Sequence, residues 1–260
     1  MMTRLAQIWR YPVKSIGRER ITRARLDKGG KLPFDRHWAV LHEGAADRVT
    51  DGDTLDGWLP KAAFLRGAAG PELQAISGGL DGETLVFSHP EHGSISVGPG
   101  HEPDCANLIE WLRPLWPQDK PPPSQLVRST EPLTDTRKPF VSINSLDSLA
   151  ALEAHVGQRI GVERWRGNLW IEGAEPFSEM DWIDREFTIG AVRLIGRKPI
   201  GRCSATSVDT QTGTPDFDMI QTLTEYRGHS TFGIYAEVLE GGEIAEMDEV
   251  TLSPAPDASA

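Results

Sequence analysis

Cysteine is nearly missing from this chain, with two in 260 residues, Cys105 and Cys203. Two thiols so far apart give no disulfide framework and fit a reducing compartment. They are also too few for an iron–sulfur cluster held by four thiolates. Basic charge is scarce: 27 Lys and Arg stand against 38 Asp and Glu, for a formal net charge of −11. That balance offers no broad cationic face to a polyanion, so nucleic acid is not an expected partner. A local basic pocket for a small anion remains compatible with it. No apolar run approaches the roughly 20 residues of a membrane helix. The opening Met-Met-Thr-Arg-Leu-Ala-Gln-Ile-Trp-Arg lacks a secretory apolar core. The expectation is a cytoplasmic protein with no membrane partner.

What is present reads mostly as strand. Residues 5–11, 21–26, 38–41, 73–76, 84–87 and 94–97 show strand composition or partial alternation. His89-Pro90-Glu91-His92-Gly93 reads as the turn between the last two. A helix is predicted over 104–116, capped by Asp104 and limited by Pro114. Pro121-Pro122-Pro123 then makes a stiff connector, which places a domain boundary between 1–120 and 124–254. Beyond it a strand is expected at 126–128. The next helix is capped by Asn144 or Ser145, striped by Leu146, Leu149, Leu152 and Val156, and ended by Gly157. Strands are predicted at 162–165, 169–171, 187–189, 192–195, 234–238 and 250–252, with a short helix at 220–226 and a frayed tail from 254. The fold class is mainly β with α insertions (α+β), the second domain being barrel-like.

The chemistry concentrates at Gly201-Arg202-Cys203-Ser204-Ala205-Thr206-Ser207-Val208-Asp209-Thr210-Gln211-Thr212-Gly213. Arg197, Lys198 and Arg202 precede the thiol, and nearby cations draw a cysteine toward its thiolate. A thiolate there either holds a soft metal or acts as a nucleophile; the bland alternative is a small buried hydrophobe. Asp209 reads either as a proton-delivery residue or as the anchor of a turn. Lys14 and Arg36 read as strand-end charges or as converging anion ligands. On a strand, Arg164 and Arg166 share one face. His89 and His92 lack further ligands at zinc spacing. Asp51-Gly52-Asp53 lacks the later ligands of a calcium loop. Cys105 reads as packing, and Glu172, Glu175, Glu179, Asp181 and Asp184 as loop surface.

Four stretches in order resemble the MOSC-domain proteins, named for the C-terminal domain of molybdenum-cofactor sulfurase. They are Tyr11-Pro12-Val13-Lys14-Ser15, Asp35-Arg36-His37-Trp38, Arg164-Trp165-Arg166-Gly167-Asn168, and Arg202-Cys203 followed by Thr206-Ser207-Val208-Asp209. The chain is most similar to the branch with an N-terminal β domain, which includes amidoxime-reducing proteins. The resemblance implies an N-terminal β-rich domain, a MOSC β-barrel domain and binding of the molybdenum cofactor, a molybdopterin. It implies Cys203 as molybdenum ligand and catalytic centre with Asp209. Lys14, Ser15, Arg36, Arg166, Asn168, Arg202 and Thr206 then bind the cofactor. The implied activity is reduction of N-hydroxylated or N-oxide small molecules, with electrons from a separate flavin or iron–sulfur protein. Persulfide transfer through Cys203 and non-catalytic cofactor delivery are the alternatives. The chain departs from the pattern at Asp135-Thr136-Arg137-Lys138-Pro139-Phe140, where related reductases carry small hydroxyl residues, and at 48–59, which lacks an arginine-rich stretch. It also stops after the MOSC region, where some bacterial relatives continue into a ferredoxin-like domain.

Overall fold

The computed structural model describes residues 2–49, 52–55, 57–129 and 133–254. Asp51 of the Asp-Gly-Asp stretch and the tail from 255 lie outside the described residues. The chain runs through β1 (Arg4–Arg10), β2 (Glu19–Ile21), β3 (Arg23–Leu26), β4 (Trp38–His42) and β5 (Thr54–Leu55). The meander β6 (Ser77–Asp81), β7 (Thr84–His89) and β8 (Gly93–Val97) leads to α1 (Glu102–Leu112). Next come β9 (Pro123–Ser129), β10 (Val141–Ser145), α2 (Leu146–Val156), β11 (Leu169–Glu172), β12 (Glu186–Ile189) and β13 (Val192–Gly201). It closes with α3 (Met219–Arg227), β14 (Thr231–Glu240), β15 (Gly242–Ala245) and β16 (Val250–Leu252). No helix among the described residues is long and apolar enough to cross a membrane.

The architecture is mainly β with a few helices, as expected. Eight strands form the largest sheet in the order β16-β12-β13-β14-β10-β11-β1-β2. The barrel expected of the second domain is an open ladder. Among the described residues its seam is stitched by an isolated Arg4–Glu249 bridge and by backbone bonds such as Val250 N–H to Thr3 O at 2.9 Å. Hydrogen bonding also crosses the triple proline in both directions. β1 pairs with β11 and β3 with β15, while β9 pairs with β4 and β5. The cause is burial: β4 has four of its five residues buried, and Leu126 of β9 packs in the core that Val40 shares with Leu85, Phe87, Leu108 and Leu112. A strand so covered must be paired along its polar edges. The other large core lies on the main sheet, around Leu5, Ile8, Ile143, Ile171, Phe187, Leu194 and Ile234.

Local chemistry explains where elements differ from expectation. Residues 73–76 are not a strand: Pro71 opens a 3-10 turn, Pro71–Ala75, before β6. Residues 162–165 hold the 3-10 turn Glu163–Trp165 between left-handed Gly161 and Arg166, so strand alternation does not govern Arg164 and Arg166. α1 starts two residues before Asp104, whose carboxylate accepts from Gly98 N–H at 2.9 Å instead of capping. Ser145 does cap α2, accepting from Ser148 N–H, and Gly157 ends it at φ 78°.

Candidate functional site

Three non-glycine residues with left-handed backbone meet at one cavity: Ser15 (φ 62°), Arg36 (φ 47°) and Arg166 (φ 49°). Such backbone persists only where the surroundings over-determine it. Here they do. Tyr11 is fully buried after β1, and the guanidinium carbons of Arg36 and Arg166 each lie 4.4 Å from its ring centroid. Its hydroxyl donates to Gly167 O at 3.2 Å, and its backbone N–H donates to the Asp35 carboxylate at 3.0 Å. Arg36 donates to both oxygens of that carboxylate, at 2.7 and 2.6 Å, and to Arg166 O at 2.7 Å. Arg166 in turn donates to Gly17 O at 3.0 Å and Val13 O at 3.2 Å. The first three sequence motifs are thus one hydrogen-bonded unit around Tyr11.

The fourth motif faces it. Cys203 is exposed in extended backbone at the end of β13, and the 3-10 turn Ser204–Ser207 follows. Distant residues pin that turn. Gln74 Nε2 donates to Ala205 O at 3.0 Å, and Arg164 donates to Thr206 O at 3.1 Å while forking onto Asp216 at 3.0 and 2.8 Å. Farther along, Arg18 donates to Thr210 O at 3.0 Å. The thiol is left at the edge of a cavity of about 270 Å³.

Lys14, Ser15, Arg36, Arg166, Asn168, Arg202, Cys203 and Thr206 all line this cavity. Asp209 does not; its carboxylate accepts from Gln211 N–H at 2.7 Å, and its backbone pairs with Thr214 and Gly213. It anchors a turn. Several lining residues are already engaged. Arg202 donates to Phe232 O (2.9 Å), Trp165 O (2.8 Å) and Asn144 Oδ1 (2.8 Å). Asn168 Oδ1 accepts from the Ser142 hydroxyl at 3.0 Å, and Thr206 donates to Cys203 O at 2.8 Å. Lys14 donates to Leu133 O at 3.0 Å and to Asp135 at 2.7 Å. The Ser15 hydroxyl has no partner among the described residues.

The electrostatics follow from this inventory. Arg166 and Arg202 meet carbonyl oxygens but no carboxylate. Burial, then repulsion from Arg36, pulls Arg166 down to about 9. Burial pulls Arg202 down to about 10 against the attraction of Tyr235. A guanidinium keeps its proton in a protein, so both shifts describe cations held out of water. Burial likewise lowers Lys14, with Asp135 opposing it.

Sequence reasoning missed Asp35, Tyr11, Asp135, Lys61, Arg66, Phe140 and Tyr235. Tyr11 and Asp35 stood inside the first two motifs and Asp135 and Phe140 in the departing stretch, but none was given a role there. Arg137 lies over Trp58, 4.9 Å from its ring centroid, and neither Arg137 nor Lys138 lines the cavity, whereas Thr134 and Thr136 do. Glu179 is not loop surface: it is fully buried, accepting from the Ser148 hydroxyl at 2.8 Å.

Comparison with known proteins gives these motifs a family. The MOSC N-terminal beta barrel domain matches residues 2–104, and the MOSC domain matches residues 133–251. Mitochondrial amidoxime-reducing component 1 of Xenopus laevis is 23% identical over 95% of this chain and 81% of its own length. Molybdenum cofactor sulfurase 2 of Culex quinquefasciatus is 33% identical over 32% of this chain; the match spans 11% of that protein, about a tenth of its length. The solved YuaD protein of Bacillus subtilis covers 98% of both chains with a TM-score of 0.45 and 12% identity. With both domain families matched in order along it, the chain is a MOSC-domain protein carrying the N-terminal MOSC-associated β domain.

Proposed function

We propose that this chain binds the molybdenum cofactor in the Cys203 cavity and reduces N-hydroxylated or N-oxide compounds there. The residues fit that group. A pterin bearing a phosphate calls for cations and donors, and the cavity holds Arg166 and Arg202 without carboxylate partners, an unpartnered Ser15 hydroxyl and the unpartnered indole N–H of buried Trp165. Lys14, Arg36 and Arg166 would hold the phosphate and pterin, with Ser15, Asn168, Arg202 and Thr206 beside them. Cys203 would ligate the metal. When bound, the cofactor supplies a two-electron redox centre. Overall, the substrate N–O bond breaks, two electrons arrive from a separate flavin or iron–sulfur protein, two protons are taken up and oxygen leaves as water. The observation carrying this proposal is one exposed thiol on a cavity that also holds Arg166 and Arg202 without carboxylate partners. The names of the amidoxime-reducing and cofactor-sulfurase relatives support it.

The test is metal and pterin content after purification from a host that makes the cofactor. About one molybdenum and one pterin per chain are expected, with molybdenum lost and pterin retained in Cys203→Ala. Turnover on hydroxylamines should fall at least about a hundredfold in that variant, the scale of losing a group that acts in the transition state. Wild type carrying neither metal nor pterin sinks the proposal. The exposure of Cys203 also favours a second reading, sulfur carriage as a persulfide. Mass spectrometry after incubation with a cysteine desulfurase tests it, by one added sulfur atom on that residue.

A further inference from the structure

We propose that Arg66 recognises a carboxylate on the substrate, so that the compounds this site favours are anionic N-hydroxylated molecules. This rests on the reductase proposal above. Every other arginine lining the cavity is engaged by the protein. Arg36 meets Asp35, Arg164 meets Asp216, and Arg166 and Arg202 meet carbonyl oxygens. Arg66 is half-buried, lines the same cavity and has no carboxylate, carbonyl or ring partner for its guanidinium among the described residues. A guanidinium drawn partly out of water calls for acceptors. Its planar fork fits one carboxylate with two parallel bonds.

Its position suits a substrate. The neighbouring Gly67 lies against the Gln74 side chain, whose amide carbon would be 2.8 Å from a Cβ there. That same amide donates to Ala205 O at 3.0 Å, within the turn that follows Cys203. The segment carrying Arg66 is thus linked to the turn after Cys203 through Gln74; Arg66 and Cys203 line the same cavity, and Arg66 comes from a different segment than the cations assigned to the cofactor. Lys61 adds a second rim cation, 3.7 Å from Asp135. Phe140 and Tyr235, with ring centroids 5.8 Å apart, give the cavity an aromatic wall for the substrate's apolar body.

The experiment compares benzamidoxime with 4-carboxybenzamidoxime on the cofactor-loaded protein, its Arg66→Gln variant and its Arg66→Lys variant. Calorimetry reads binding, and kcat/KM is read with a chemical electron donor. Wild type should bind the carboxylated compound about tenfold more tightly, the scale of one charge-assisted hydrogen-bonded contact. Arg66→Gln should erase that preference in both binding and kcat/KM, and Arg66→Lys should restore part of it. Equal affinities in wild type, or a preference untouched by Arg66→Gln, overturn the proposal. A binding preference that depends on Arg66, with turnover of neither compound, upholds the carboxylate site and sinks the reductase proposal instead.

Discussion

The two walls of the cavity are built on opposite terms. On the wall carried by the main sheet, Arg166, Asn168 and Arg202 spend their hydrogen bonds on the protein's own backbone and on Ser142 and Asn144. On the rim from 61 to 66 and 134 to 136, the charges are loose. Asp135 is half exposed, it bridges Lys14 and a distant Lys61, and Arg66 is unpartnered. A braced wall is organised before anything binds, which lowers the cost of holding a ligand in one geometry. A loose rim can exchange internal partners for external ones. Under the proposed function, the fixed tasks fall to the sheet and the selective ones to the rim.

Breaking the braced wall should have the largest effect. Arg202→Met strands three acceptors, on Phe232, Trp165 and Asn144. We expect a loss of about 2 kcal/mol in stability, read as a lower urea midpoint. A rim change should be milder. Asp135→Asn removes the charge from a pair whose lysine is buried and whose carboxylate is half exposed, but the amide oxygen can still accept from Lys14, so the loss should be about 1 kcal/mol, below that of Arg202→Met. Relieved of that charge, Lys14 should then bind inorganic phosphate about threefold more tightly by calorimetry, since the lost pair is of that size. Equal stability losses from both variants would erase the contrast between the walls.

A third prediction sharpens the comparison through pH. Lys31 donates to Asp35 O at 2.8 Å behind the braced wall, and burial, opposed by Asp35, lowers it to about 8. Between pH 8 and about 10 the unfolded chain, with lysine near its ordinary value, binds the proton the folded chain has lost. Stability should therefore rise with pH across that window. Lys14, also lowered by burial, contributes with the same sign. Above pH 10 buried Tyr11, raised by burial, reverses the trend, because the unfolded tyrosine gives up its proton first. Urea midpoints at pH 7.5 and 9.5 should show the rise, and Lys31→Met should flatten it.

The sequence revealed the site better than its supports. Eight of the nine expected site residues line one cavity, because each stands in a short motif whose local backbone sets its direction. Asp209, for which two explanations competed, lies outside that cavity, and its carboxylate bonds an amide two residues on. Asp135 was invisible for another reason. Its pairing with Lys14 spans 121 positions, and no local pattern records so long a contact. The same holds for β9, whose composition marks a strand while its partner β4 is fixed by burial. Residues 162–165 misled because their turn is dictated by left-handed neighbours, one of them an arginine.

The stitching of the first strand to the last part of the chain has a consequence during synthesis. β1 leaves the ribosome before β11, and Arg4 and its strand partner Glu172 are 168 positions apart. At roughly 5–20 residues per second, β1 waits on the order of ten to thirty seconds for that neighbour. In that interval β2 can pair with one edge of β1 and Leu26 and Leu32 can meet Leu5 and Ile8, but the partners that β11 supplies are missing. Arg4 and Arg10 bracket the β1 segment. Charges at the two ends of an apolar strand discourage its stacking on copies of itself, so this pair protects the chain before there is a fold to protect.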